Sequence, residues 1–275
     1  MTFPVAMIPY ANVAPYNQLG PPDGCRFVPL VPSSSIAGLK YNEVIAAAVP
    51  VGGLPELGGL VDFLGTFGIG ARERSMSILF FSDRPLADMG SATRIRVTEE
   101  SASSVRLLYL LMVYHRGLDD LPRLAAPGEA ADGELLIGDQ ALLRMYTERR
   151  ETRGDVWSAA GTVVTDLACE WFARHQLPFV FARWVVRKDA PPRARASLES
   201  WLSEFKAREE EMLEKAVPGA ARKLNLEPQT VRAYFRLLRR CLDETDLAGQ
   251  ALFLEECRRY SLTGAVAWTS AGMGR

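Results

Sequence analysis

The sequence predicts an α/β protein of two lobes, with helices added at its C-terminal end. Three observations lead there. Short apolar runs alternate with short helical stretches up to about residue 90, and a second series of the same kind begins near Ser91. A late apolar run then returns the chain to the first unit, after which the pattern is wholly helical. Strands alternating with helices build a mostly parallel sheet covered by helices. Two such series give two lobes, residues 1–90 with 184–275 and residues 91–183, and the chain crosses between them twice.

Each element has its own signal. PVAMIPY (4–10) and CRFVPLVP (25–32) are short apolar runs of strand type. SSSIAGLKYN (33–42) offers a serine cap and a short amphipathic helix, and EVIAAAVPV (43–51) is a third strand. DFLGTFGIGAR (62–72) and SMSILFFS (75–82) are strands with a glycine-bearing turn between them. In the second series RIRVT (94–98) alternates as a strand does, and SASSVRLLYLLMVYHRGL (101–118) is a helix with a serine-rich start. GELLIGDQALLRM (133–145) is a strand running into a helix. TVVTDLACEWFARHQLPFVFARWVV (162–186) is a capped helix followed by the returning strand. From Pro191 onward the expectation is helix, with Leu198, Trp201, Leu202 and Phe205 on one apolar face.

Composition excludes several functions. The 275 residues are 48% hydrophobic and 24% charged, enough for a sizeable core. With 32 basic and 33 acidic residues the net charge is −1, so no basic excess exists to hold a phosphate backbone. Nucleic acid is therefore not an expected partner, and the run Arg236, Arg239 and Arg240 reads as a solvated helix face. Four cysteines, Cys25, Cys169, Cys241 and Cys257, are widely spaced and never form CxxC, so neither a disulfide scaffold nor a zinc site is expected. The two histidines, His115 and His175, read as helix-end residues rather than catalysts. No secretory leader and no apolar run of about 20 residues is legible, which points to a cytoplasmic protein without a membrane partner. The oligomeric state is open, a dimer being one arrangement.

Candidate site residues follow from where the strands end. In open α/β sheets, ligands sit beyond the carboxyl ends of the strands. Asn12 stands at such an end; its amide offers donors and an acceptor, though Asn also favours plain turns. Ser101, Ser103 and Ser104 crowd a helix start, where free N–H groups attract anions; a simple cap needs only one serine. Gly138 and Asp139 mark another strand end, where the glycine allows close backbone approach and the aspartate either meets ligand or caps the following helix. Thr165 and Asp166 pose the same choice, and Trp171 reads as core.

Five segments, YANVAP, SMSILFFSDRPL, SASSVRLLYLL, LLIGDQAL and DLACEWFARHQLPFVFARW, together resemble the chorismate dehydratase family of menaquinone biosynthesis, over roughly residues 5–185. The resemblance implies the fold of type II periplasmic binding proteins, two α/β lobes around a cleft. It implies loss of water from chorismate to give 3-(1-carboxyvinyloxy)benzoate on the futalosine route, with no metal or cofactor. It also implies two key polar residues, Asn12 and Ser77, acting near the departing hydroxyl. Ile45 and the turn Arg72-Glu73-Arg74 depart from the family pattern. Two alternatives have a similar fold: an enzyme like 1,4-dihydroxy-6-naphthoate synthase, and a solute-binding protein for small acids. The first calls for a Ser-Pro-Cys-Pro-Asn-like stretch that IPYANVAP lacks.

Overall fold

The structure is a computed structural model that describes residues 2–126, 128–148, 152–153, 156–159 and 161–262. The chain opens with β1 (Phe3–Met7), then a 3-10 turn at Ala11–Val13, α1 (Ala14–Asn17), β2 (Cys25–Pro29), α2 (Pro32–Lys40) and β3 (Ala46–Pro50). A short α3 (Leu54–Leu57) leads to the long β4 (Val61–Ala71). There follow β5 (Ile78–Ser82), β6 (Arg94–Arg96), α4 (Ser103–Arg116), β7 (Arg123–Leu124), β8 (Gly133–Ile137) and α5 (Gly138–Glu148). Then come β9 (Thr152–Arg153), β10 (Val156–Ala159), β11 (Thr162–Asp166), α6 (Leu167–His175) and β12 (Phe179–Arg187). The chain ends in α7 (Pro192–Ala207), α8 (Glu209–Leu224), α9 (Pro228–Leu237), β13 (Leu238–Cys241) and α10 (Glu244–Arg259). No described helix is long and apolar enough to cross a membrane.

Two sheets organise these elements, in the orders β13-β4-β12-β3-β1-β2 and β7-β6-β8-β5-β11-β10-β9. Both are mixed, not mostly parallel as the alternation predicts. Strands β2, β1 and β3 run parallel, because helices carry the chain back between them. Strand β12 arrives from the far end of the chain and slots antiparallel between β3 and β4. All nine of its residues are buried, as a strand covered on both faces requires. In the second sheet the parallel pairs are β6 with β7 and β6 with β8; β5 lies antiparallel to both β8 and β11.

Sheet membership also corrects the expected boundaries. Ile78–Ser82 belongs to the second sheet, so the chain changes sheet between Ala71 and Ile78, earlier than residue 90. It returns between Asp166 and Phe179. Thr162–Asp166 is a strand, not the start of a capped helix, since Thr-Val-Val-Thr is β-branched throughout. Leu238–Cys241 is a strand inside the stretch expected to be helical, with Leu238 and Arg240 buried in alternation.

The two crossings are clamped to each other. Asp166 caps α6 by accepting from the Ala168 N–H at 3.0 Å. The same carboxylate accepts from the Ser75 N–H (2.9 Å), the Met76 N–H (2.8 Å) and the Ser75 hydroxyl (2.9 Å). Burial pushes this carboxyl above its usual range even against those donors. Trp171 lies in the core and donates to the Pro178 carbonyl at 3.3 Å. Helix α10 rests on that carbonyl from the other side: a Cβ at Gly249 would sit 2.1 Å from the Pro178 oxygen. On the outer face of the first sheet, α7 buries Leu198, Trp201, Leu202 and Phe205, as its periodicity predicts. There Tyr16 packs against Phe205, Trp201 and Trp184 at ring separations of 4.0, 5.6 and 5.7 Å.

Two stability predictions arise here. Asp166→Ala leaves several interior donors without an acceptor and is expected to cost about 3 kcal/mol, read as a lower denaturant midpoint. Burial, then Arg174, holds the His175 imidazole below its ordinary pKa. The folded state therefore disfavours the proton, and this ring destabilises the protein as pH falls below about 6.5. His175→Phe, keeping the packing on Trp171 (4.2 Å), is expected to flatten the loss of melting temperature between about pH 6.5 and 5.

Candidate active site

Strand ends from both sheets converge on one cavity of about 490 Å³ of empty volume. The loop after β1 supplies Ile8, Tyr10 and Asn12, and β12 and β13 supply Phe181, Ala182 and Leu238. The second sheet supplies Ser77, Ile78, Ile137 and Gly138, and the N-terminus of α4 brings Ser101, Ser103 and Ser104. The walls are thus mainly apolar, with one amide, four serine hydroxyls and the Tyr10 phenol. None of the described lining residues is Lys, Arg, His, Asp or Glu.

Each polar group has a definite bonding state. Asn12 sits in the turn Ala11–Val13, and its side-chain Oδ1 is buried with no hydrogen-bond partner. An orphan buried acceptor is costly unless something completes it. Ser77 precedes β5; its hydroxyl makes a long bond, 3.4 Å, to the Ser75 carbonyl and lies within reach of the Tyr234 hydroxyl. Ser101 accepts from the Ser104 N–H (3.0 Å) and donates to the Ser104 hydroxyl (2.9 Å). A hydroxyl has one proton, so Ser104 retains its own to offer a ligand. Ser103 is engaged on both sides: it accepts from the Gly52 N–H and donates to the Phe181 carbonyl, each at 3.0 Å. It ties α4 to β12 while lining the cavity. The fourteen-residue α4 points its positive dipole end at the cavity, a place suited to an anion.

Asp139, expected at the ligand or as a cap, is not among the residues that line the cavity. Its Oδ1 accepts from the Ala11 N–H at 2.7 Å, and its Oδ2 accepts from Lys223 Nζ at 2.7 Å. Lys223 also donates to the Pro9 carbonyl at 2.7 Å. Asp139 therefore braces the turn that carries Asn12 from outside the cavity. Gly138 serves by lacking a side chain: its φ is +58°, and a Cβ there would lie 2.7 Å from the Tyr10 ring. Tyr10 is a wall residue that the strand-end argument passed over, although it stands two residues before Asn12. Its hydroxyl donates to the Glu100 carboxylate, and burial, then Glu100, raises its pKa far above the ordinary phenol value. The wall residue Leu238 and the arginine two places after it were read as helix. Only their period-two alternation could have revealed them.

Comparison with known proteins turns on the whole chain rather than on one residue. The family described as menaquinone biosynthesis matches residues 3–259. The chain belongs to this family. A curated relative, chorismate dehydratase of Thermus thermophilus, is 32% identical over 257 residues, covering 90% of this chain and 92% of the relative. Among solved structures, a protein of Archaeoglobus fulgidus superposes with a TM-score of 0.68 at 16% identity, over 95% of this chain and 98% of that one. The alkanesulfonate-binding protein of Xanthomonas axonopodis pv. citri, bound to MOPS, gives 0.63 at 11% identity, over 96% and 94%. This member of the menaquinone-biosynthesis family thus has the periplasmic-binding-protein fold.

Gly138→Ala tests the close approach. The strained left-handed backbone is expected to cost about 1–2 kcal/mol, read from the denaturant midpoint at unchanged slope. The displaced Tyr10 ring is expected to abolish thermal stabilisation of the protein by added chorismate.

Proposed function

We propose that the chain is a chorismate dehydratase, removing water from chorismate to give 3-(1-carboxyvinyloxy)benzoate on the futalosine route to menaquinone. The observation that carries this reading is the orphan Asn12 amide oxygen in an uncharged cavity that Ser77 and three further serines also line, in a chain from the menaquinone-biosynthesis family. The name of the Thermus thermophilus relative supports it.

The chemistry suits such a cavity. Chorismate has two carboxylates, a hydroxyl at ring C4 and an enolpyruvyl ether at C3. Loss of the C3 proton and the C4 hydroxyl makes the ring aromatic, so the driving force is the substrate's own. The protein has to hold the reactive conformer and settle charge. The α4 N-terminus, with Ser104 and Ser101, receives a carboxylate. Asn12 Oδ1 accepts the C4 hydroxyl proton in a hydrogen bond and fixes that group's direction. Ser77 donates to the oxygen as it departs. No carboxylate, imidazole, ammonium or guanidinium side chain lines the cavity among the described residues, and the Tyr10 phenol is tied to Glu100, so the enolpyruvyl carboxylate of the substrate takes the C3 proton. That proton and the departing hydroxide together make the water lost. No electron leaves the substrate, and the scheme needs no cofactor. Four cysteines without disulfide partners suit a reducing compartment, and we place the enzyme in the cytoplasm.

The test is to incubate purified protein with chorismate and follow the aromatic product. Turnover is expected, and Asn12→Ala is expected to lower kcat/KM on the order of a hundredfold. Tight binding of chorismate without product would instead favour a solute-binding role, and full turnover by Asn12→Ala would remove the site assignment.

A further inference from the structure

The stretch Leu238–Cys241 holds a group that the scheme above leaves unused. Arg240 is 1% exposed, although it lies in a run that reads as a solvated basic face. Its guanidinium fork joins distant parts of the chain. Nη1 donates to the Phe235 and Leu238 carbonyls at 3.1 and 3.2 Å. Nη2 donates to the Asn12 carbonyl at 3.2 Å. Arg240's own carbonyl accepts from the Tyr16 hydroxyl at 3.4 Å, in the helix that follows the Asn12 turn.

Its neighbours on the chain are spent differently. Arg236 pairs with Glu210 and Glu214, and Arg239 with Asp243 and Asp246. Arg240 has one carboxylate near it, Glu209 at 3.7 Å, and its Nε has no hydrogen-bond partner. A buried guanidinium left so incompletely paired is unfavourable by itself, so the arrangement calls for a compensating use. Asn12 supplies one. Its peptide carbonyl is held from behind by Arg240, and the N–H preceding it, that of Ala11, is held by Asp139 at 2.7 Å. With both ends of the residue pair fixed, the side-chain amide has little freedom to leave the cavity wall.

We propose that Arg240 is the positioning residue for Asn12, its fork gripping the Asn12 carbonyl so that the side-chain amide stays directed at the substrate. This rests on the dehydratase reading above. Lysine keeps the charge and loses the planar fork, so Arg240→Lys separates the two. It is expected to lower kcat about tenfold or more while KM changes by less than about threefold, because a misdirected amide fails in the transition state rather than in binding.

The decisive measurement is a double-mutant cycle with Asn12→Ala, in chains whose thermal unfolding shows a cooperative fold. In the Asn12→Ala background Arg240→Lys is expected to change kcat by less than about twofold. Where the lysine variant does not accumulate as folded protein, Arg240→Gln serves the same cycle. An undiminished effect in the Asn12→Ala background, or a single variant with wild-type kcat, would overturn the proposal and leave Arg240 a structural plug. If the wild-type chain does not turn over chorismate, the dehydratase reading fails and Arg240 falls with it. If the wild type is active and the effects add, Arg240 alone is withdrawn.

Discussion

One carboxylate ties together the two connections between the sheets. Asp166 ends β11, starts α6 and accepts from the backbone of Ser75 and Met76 on the other crossing. Without that clamp the two connections would be independent strands of chain, free to slide. With it, Ser77 is held two residues from a fixed point. Met76 adopts a left-handed φ of +58°, a conformation that a non-glycine residue keeps only where its surroundings impose it. The Asp166 bond to its N–H is such an imposition.

Polarity in the cavity is arranged by spending most donors and acceptors elsewhere. Ser103 gives its hydroxyl to Gly52 and Phe181, Asp139 gives its carboxylate to Ala11 and Lys223, and Ser101 caps α4. What remains without a partner is the Asn12 oxygen, in a cavity that Ser77 and Ser104 also line. A dianionic ligand therefore meets oriented dipoles rather than mobile cations. Dipoles fixed by the fold need little reorganisation when charge shifts within a ligand, whereas a lysine in the same place would bind reactant and product alike through its net charge.

Much of this was legible beforehand, for physical reasons that differ by element. The strand end at Asn12, the serine start of α4 and the glycine at 138 each carry a local signal: an apolar run that stops, a crowded cap, a residue without Cβ. The α7 face was legible because a 3.6-residue period survives any tertiary context. What could not be read depends on partners far along the chain. TVVTD was read as the head of a helix because Thr and Asp also cap helices, and only pairing with β5 decides for strand. LRRC lies between helices and pairs with β4 about 170 residues earlier. Asp139 carries the signature of a cap or a ligand, yet its actual acceptor role belongs to a residue 128 positions away. Ser77 came from family resemblance alone; nothing in SMS sets it apart from any serine before a strand.

The contact of Gly249 with the Pro178 carbonyl bears on motion. Binding proteins of this fold open and close about their two connecting segments, and Pro178 ends one of them. Since α10 presses backbone against that carbonyl with no side chain as a spacer, the last helix is held to the end of the second connection. A shift of Pro178 would have to carry α10 along with β12, which begins at the next residue.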